Sequence, residues 1–349
     1  MHAILLIAAT HLSFLVPTEQ FYHHASVQHL SKTLHLFGLA LSQPMTSANA
    51  DAFMATATIL VHHAWATIDA IRCPPASNRS IDSTATTSRR STLDLSHDPL
   101  FTLSDGLNAV FMNAIEFIAL NDSIFAASIQ HRPRYSILCA LRDLPNCLEE
   151  LEMFFSECYI RMAGNHSPQL LLSEGINSSM SIADTSFACM PATGSTENNK
   201  LEESETMNNP EVFSAFKDAA SRLALVLALF QKLPSASGGI PPTTPAPVID
   251  TVAPSSNFPP LTDLARYLFS FPTRSTGPFI SLVRRNDPRA FILLFYFYRA
   301  VRLLLPEKQC WWSCARAEYL EKEIGRRFGD AGKLLIEEGN RVLERGMYY

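Results

Sequence analysis

The residues whose types could do chemistry are 11 histidines, 7 cysteines and one acidic run. All the histidines lie at or before His166, and they pair at His23-His24 and His62-His63. Adjacent residues on a helix point about 100° apart, whereas two ligands to one ion need the i, i+4 spacing of one face. No His-Glu-x-x-His run is present, and His11 reads as a helix-end residue. The nearest cysteine spacing is Cys310-x-x-x-Cys314, with no second pair to complete a thiolate zinc site. The thiols therefore read as reduced, buried groups of an intracellular protein. Glu149, Glu150 and Glu152 read as a solvated helix face. There is no Gly-x-Ser-x-Gly elbow, phosphate loop or dinucleotide fingerprint, and 13 glycines supply few backbone cradles for phosphate. The expectation is a chain that is not an enzyme and that holds no metal and no cofactor.

One further group could act by binding. Phe291, Phe295 and Tyr298 form an aromatic stripe, and Trp311 and Trp312 follow. Such a set is either plain core or the wall of an apolar ligand pocket, which aromatics commonly line. Composition does not separate the two.

These residues have to be positioned by helices. Apolar residues recur with helical spacing, while alternating strand patterns and hairpin turns are nearly absent. Residues 2–15 read as an apolar helix ended by Pro17. Residues 19–42 place Leu30, Leu34, Phe37 and Leu41 on one face, the expected core face. Ser47 or Asn49 caps a helix over about residues 50–71. Ser104 or Asp105 caps another, with Leu107, Val110, Ala114 and Ile118 in phase. Asn146 opens a helix carrying Leu151, Phe155, Cys158 and Met162. Asn209-Pro210-Glu211 is a start signal for one carrying Val212, Phe216, Leu223 and Phe230. Asp287 caps a helix whose first residue is Pro288, with the aromatic stripe on one side and Arg299 and Arg302 off it. Residues 311–328 form a last amphipathic helix. The fold class is all-α, an irregular multi-helix bundle with long disordered loops. The loops are residues 74–98, 164–208 and 234–260, rich in Ser, Thr, Asn and Pro and too poor in apolar surface to offset ordering entropy.

Charge narrows the partners. The formal net charge is -5 and only 17 % of residues are charged, against about a quarter in ordinary chains. A chain so poor in charge buries much of its length or exposes an apolar interface. Arg89-Arg90, Arg284-Arg285 and Arg326-Arg327 are isolated pairs, so direct DNA binding by this chain is not expected. No apolar run reaches the roughly 18 residues of a membrane span. The start, Met1–Ala9, has an apolar run without a preceding Lys or Arg, and Asn78, Asn121, Asn165 and Asn177 match the glycosylation pattern. A secreted helical glycoprotein is the reading those two features would support; a nuclear or cytoplasmic protein is the one preferred.

The order of the pieces resembles one family. Phe271-Pro272, a short helix over 278–285, Asp287-Pro288-Arg289-Ala290, the aromatic helix to Leu305 and Trp311-Trp312 resemble the end of the fungal-specific transcription factor domain, in its sterol-uptake-regulator branch. Ala3–Leu12, Tyr22–Leu41, Asn49–Thr56 and Asp98–Ala119 are similar to its earlier helices. Sterol-type members often carry a glycine after the Trp-Trp pair, where this chain reads Ser313-Cys314-Ala315-Arg316. The resemblance implies a single regulatory domain over residues 1–349 of a zinc-cluster type transcription regulator. Such a domain senses a hydrophobic small molecule such as a sterol, in a pocket that would include Phe291, Phe295, Tyr298, Trp311 and Trp312. It also implies a homodimer or a pairing with another zinc-cluster regulator. The family's six-cysteine DNA-binding cluster is not among these residues. The alternative expectation is a ligand-free helical scaffold, or a dominant-negative dimerisation partner of a full-length regulator.

Overall fold

A computed structural model of the chain describes residues 1–68, 93–120, 123–164, 209–233, 258–275 and 277–345. Fifteen α-helices run through them: α1 (His2–Leu15), α2 (Gln20–Leu41), α3 (Ala50–Ala66), α4 (Pro99–Thr102), α5 (Ser104–Leu120), α6 (Ala126–Gln130), α7 (Pro133–Ala140), α8 (Pro145–Gly164), α9 (Pro210–Leu227), α10 (Leu261–Phe269), α11 (Phe271–Arg274), α12 (Gly277–Arg284), α13 (Pro288–Leu304), α14 (Trp311–Arg327) and α15 (Asp330–Arg345). Among the described residues there is no β-strand, so the all-α class holds. Of the three stretches expected to be loops, 74–92, 165–208 and 234–257 lie outside the described residues.

Local chemistry starts the helices where the sequence indicates. The side chains of Asp98, Asn209 and Asp287 each accept the backbone N–H two residues on, at 2.9 Å, and each is followed by proline at the first helical position. Proline has no N–H to leave unpaired there, and its fixed φ suits the first turn. Asn286 sits at φ 55, the left-handed cap that ends α12. Its side chain accepts from the Leu95 N–H and donates to Asp94, both at 2.9 Å. That clamp corrects the first loop boundary. Leu93 and Leu95 are buried in the core instead of belonging to the loop expected over 74–98.

α13 is the axis. Ala290 through Tyr298, then Ala300, Val301 and Leu304, are all buried, so the helix is enclosed on every side and not on the single face expected. α14, α9, α8 and α12 pack around it, α15 closes on α8, and α3 packs on α14. One continuous core runs from Phe53 to Leu343. α3 ends at Ala66, five residues before the expected boundary, because its last carbonyls turn to a side chain described below.

Close approach on α15 relies on glycine at Gly332, against Phe328, and at Gly339. A Cβ on Gly339 of α15 would lie 2.1 Å from the Tyr296 hydroxyl and 2.6 Å from Phe154. The Tyr296 hydroxyl is held at 2.8 Å by the Ile336 carbonyl, so it has little room to retreat. Gly339→Ala is therefore expected to destabilise the fold. Overpacking costs about 1–3 kcal/mol and exceeds the roughly 1 kcal/mol that alanine returns in helix propensity. Urea unfolding of the variant checks this; a midpoint above wild type would refute it.

Candidate functional site

Among the described residues, three arrangements bring potentially reactive side chains together. The first lies between α1, α2 and α3. The Thr10 hydroxyl meets the Ser26 hydroxyl at 2.8 Å and His63 Nδ1 at 3.1 Å. Hydroxyls beside an imidazole are the atoms of a nucleophile and its base, but all three side chains are buried and satisfy one another. They act as a polar lock between the three helices.

Burial pushes the His63 pKa down to about 4 from 6.5. The unfolded chain thus binds a proton below pH 6.5 that the folded chain refuses until about pH 4. Stability contributed here is complete above pH 6.5 and is lost as the pH falls through that window, up to about 3 kcal/mol. Urea midpoints at pH 7 and pH 4.5 should differ accordingly, and His63→Gln should flatten the difference. An equal decline in the variant would contradict the assignment.

The second arrangement is Ser136, Asp263 and His131. Asp263, buried at the start of α10, accepts from Ser136 Oγ and from His131 Nε2, both at 2.5 Å. In a hydrolytic triad the imidazole stands between the hydroxyl and the carboxylate. Here the carboxylate stands in the middle, and the imidazole does not touch the hydroxyl.

The third is a buried charge hub. Arg316 on α14 is 0 % exposed and Asp98, the cap of α4, is 1 % exposed. Arg316 Nη1 reaches the two carboxylate oxygens at 2.9 and 3.1 Å. Nη2 donates to the carbonyls of Ala64 at 2.8 Å and Thr67 at 3.0 Å, and Nε to that of Trp65 at 3.3 Å. These are the orphan carbonyls at the end of α3, which a guanidinium satisfies better than water can in the interior. Burial pushes the Asp98 carboxyl up, and the Arg316 charge and the Leu100 amide pull it back.

Among the described residues Cys139 is exposed, and the other four thiols are inert. Burial raises Cys147 and Cys158 to about 12 and Cys310 and Cys314 to about 11, so they stay protonated at neutral pH. Among the described residues no three His, Cys, Asp or Glu side chains gather as metal ligands. No described helix is long and apolar enough to cross a membrane.

The five aromatics singled out in the sequence take different places. Phe291 lies under the Arg327 guanidinium at 5.2 Å, and Tyr298 packs edge-on against Trp65. Phe295 meets Tyr296 edge-on and approaches Gly325. Trp312 joins His62 and Phe269, and Trp311 stacks on His11 at 4.4 Å with Phe14 beside it. Trp65, which the sequence does not mark, touches both Tyr298 and Phe269 and so links the stripe to the tryptophans. Trp311 thus docks α1 onto α14, and Trp312 joins α14 to α3 and α10.

The surface that this docking presents is the arrangement most open to a partner. The two fully buried residues of α2 are Ser26 and Thr33, both polar. Phe37 packs against Phe53 of the core and Leu30 is half-buried, but most of the helix's large apolar residues are exposed: Phe21 at 72 %, and Val27, Leu34, Leu36, Leu39 and Leu41 too. Leu34 and Leu41, expected on the core face, are among them. On α1, Ile4 is 60 % and Leu15 58 % exposed, and Leu5 and Leu12 complete an outward stripe. α1 buries Leu6 and Ala9 beside Thr10, α2 buries only Ser26 and Thr33, and both helices leave large apolar side chains exposed.

Compared with models of protein families, with curated proteins and with solved structures, the chain finds no match in any of the three.

Proposed function

We propose that this chain is a non-catalytic helical regulatory domain that pairs with a second copy of itself through the outer face of the α1–α2 hairpin. The carrying observation is the set of large apolar side chains that the hairpin leaves exposed, Ile4, Leu5, Leu12 and Leu15 on α1 and Phe21, Val27, Leu36 and Leu39 on α2. Exposed apolar surface of this kind marks an interaction site. A second copy suits it best. Before Asp51 the only Asp, Glu, Lys or Arg residues are Glu19 and Lys32, so two hairpins meet without repulsion. At 1.5 Å per residue α2 is about 33 Å long. With α1, of 14 residues, about 21 Å long beside it, the two helices offer roughly 540 Å² per copy, or about 1,100 Å² over both, just above the roughly 1,000 Å² that a specific interface needs. Two hairpins related by a two-fold axis close as a four-helix bundle.

The regulatory role comes from the resemblance to the fungal-specific transcription factor domain, and with it a nuclear or cytoplasmic location. Dimerisation is also what that resemblance implies. The ring contacts of Phe291, Tyr298 and Trp312 with the protein itself favour the ligand-free scaffold over the sterol sensor.

Sedimentation equilibrium of the purified chain tests the proposal. A dimer insensitive to salt is expected, since screening acts on charges and not on apolar contact. A monomer at tens of micromolar would end it.

A further inference from the structure

On the side of the molecule built by α7, α9, α10 and α11 lies a cleft of about 120 Å³. Three arginines line it, each from a different helix: Arg134 from α7, Arg222 from α9 and Arg274 from α11. Tyr267 of α10 and Ser221 of α9 lie between them. One acid is present. Asp218 pairs with Arg222 at 2.9 Å across one helical turn. Arg134 and Arg274 have no carboxylate or other hydrogen-bond acceptor among the described residues. The cleft therefore holds three guanidiniums against one carboxylate, in a chain that is acidic overall and only 17 % charged.

Surface arginines are usually solvated singly, and a pair on one helix would carry no meaning. Here three separate helices aim guanidiniums at the same space. The Tyr267 phenol reports the convergence. Burial pushes its pKa up, and Arg134, Arg222 and Arg274 each pull against that rise. Its hydroxyl is anchored on the Arg222 carbonyl at 3.1 Å, which sets the ring as a fixed wall. Gathering like charges costs free energy unless something of opposite charge sits among them.

We propose that this cleft binds a small oxyanion of charge −2, of the phosphate type, free or as the head of a small ester. Guanidiniums donate in planar forks that fit phosphate and carboxylate oxygens in pairs. The cleft, of about 120 Å³, has room for a phosphate group with a short carbon chain. The site is independent of the α1–α2 surface, so either can fail without the other.

Isothermal titration of the full chain with inorganic phosphate, glycerol 1-phosphate and succinate, at constant ionic strength, provides the test. Saturable one-to-one binding of phosphate is expected. Arg134→Ala and Arg274→Ala should each weaken it about tenfold or more, the loss of one bidentate contact. Both side chains are exposed, so neither variant should disturb folding, and circular dichroism verifies that. Arg341→Ala, on the exposed face of α15, should bind as wild type. Tighter binding of the ester places the phosphate on an organic carrier; equal binding assigns the free ion. Preference for succinate overturns the phosphate assignment. Absence of saturation up to about 20 mM, a weakness of under about 2.5 kcal/mol, or undiminished binding in both arginine variants, overturns the site.

Discussion

Arg316→Ala is expected to remove about 3–5 kcal/mol of folding free energy, a large share of the 5–15 kcal/mol that stabilises a typical domain. The reason is what the missing side chain leaves behind. Asp98 would remain inside as an unpaired carboxylate, and the carbonyls of Ala64, Trp65 and Thr67 would lose their donor together. Each buried orphan adds a desolvation penalty of about 1–3 kcal/mol. Arg316→Lys should rescue little, because an ammonium cannot span acceptors spread over two segments with a rigid fork. Combining Arg316→Met with Asp98→Asn should restore much of the loss. That pair removes both charges and keeps an oxygen to cap α4. Urea unfolding followed by helical dichroism decides it. A single variant within 1 kcal/mol of wild type would show that water or relaxation replaces the guanidinium. A double variant no better than the single would show that the carboxylate was never the penalty.

The combined substitution Ile4→Glu and Leu15→Glu should raise the dimer dissociation constant at least about 100-fold, or some 2.7 kcal/mol. The two positions lie eleven residues apart on the outward face of α1, and both are more than half exposed in the single chain. The monomer should thus keep its stability to within about 0.5 kcal/mol. In the dimer each glutamate would be buried unpaired, and two-fold symmetry would place it twice. Sedimentation gives the constant and thermal unfolding at high dilution gives the monomer's stability. A dimer of unchanged affinity moves the interface elsewhere. A monomer that melts early shows that α1's outer face is core.

Much of the helical framework was legible in the chain. Asn209-Pro210, Asp287-Pro288 and residues 2–15 gave their helices to the residue or nearly so, because caps and proline act within one turn of themselves. Helix α15 went unread although its pattern is amphipathic, and α6, α7 and α10 are short segments where period alone is weak evidence.

The failures have one physical cause. Periodicity says which residues share a face but not which face turns inward. Of Leu30, Leu34, Phe37 and Leu41, which look like a core stripe, Phe37 packs on Phe53 and Leu30 is half-buried, but Leu34 and Leu41 are exposed, and the fully buried residues are Ser26 and Thr33, on the side where Ser26 meets Thr10. Arg316 carried a weak signal, an arginine in phase with Leu320 and Ile324 on the buried side of α14. Its meaning depended on Asp98, far away in the sequence. The three cleft arginines are distant from one another in the same way. Helical character, most boundaries and the shortage of charge can be read from the chain in isolation, since these rest on local backbone chemistry and composition. Which charges meet, which aromatics close the core and which apolar side chains stay exposed emerge only in the packed fold. Those outcomes depend on long-range packing that no single stretch of chain contains.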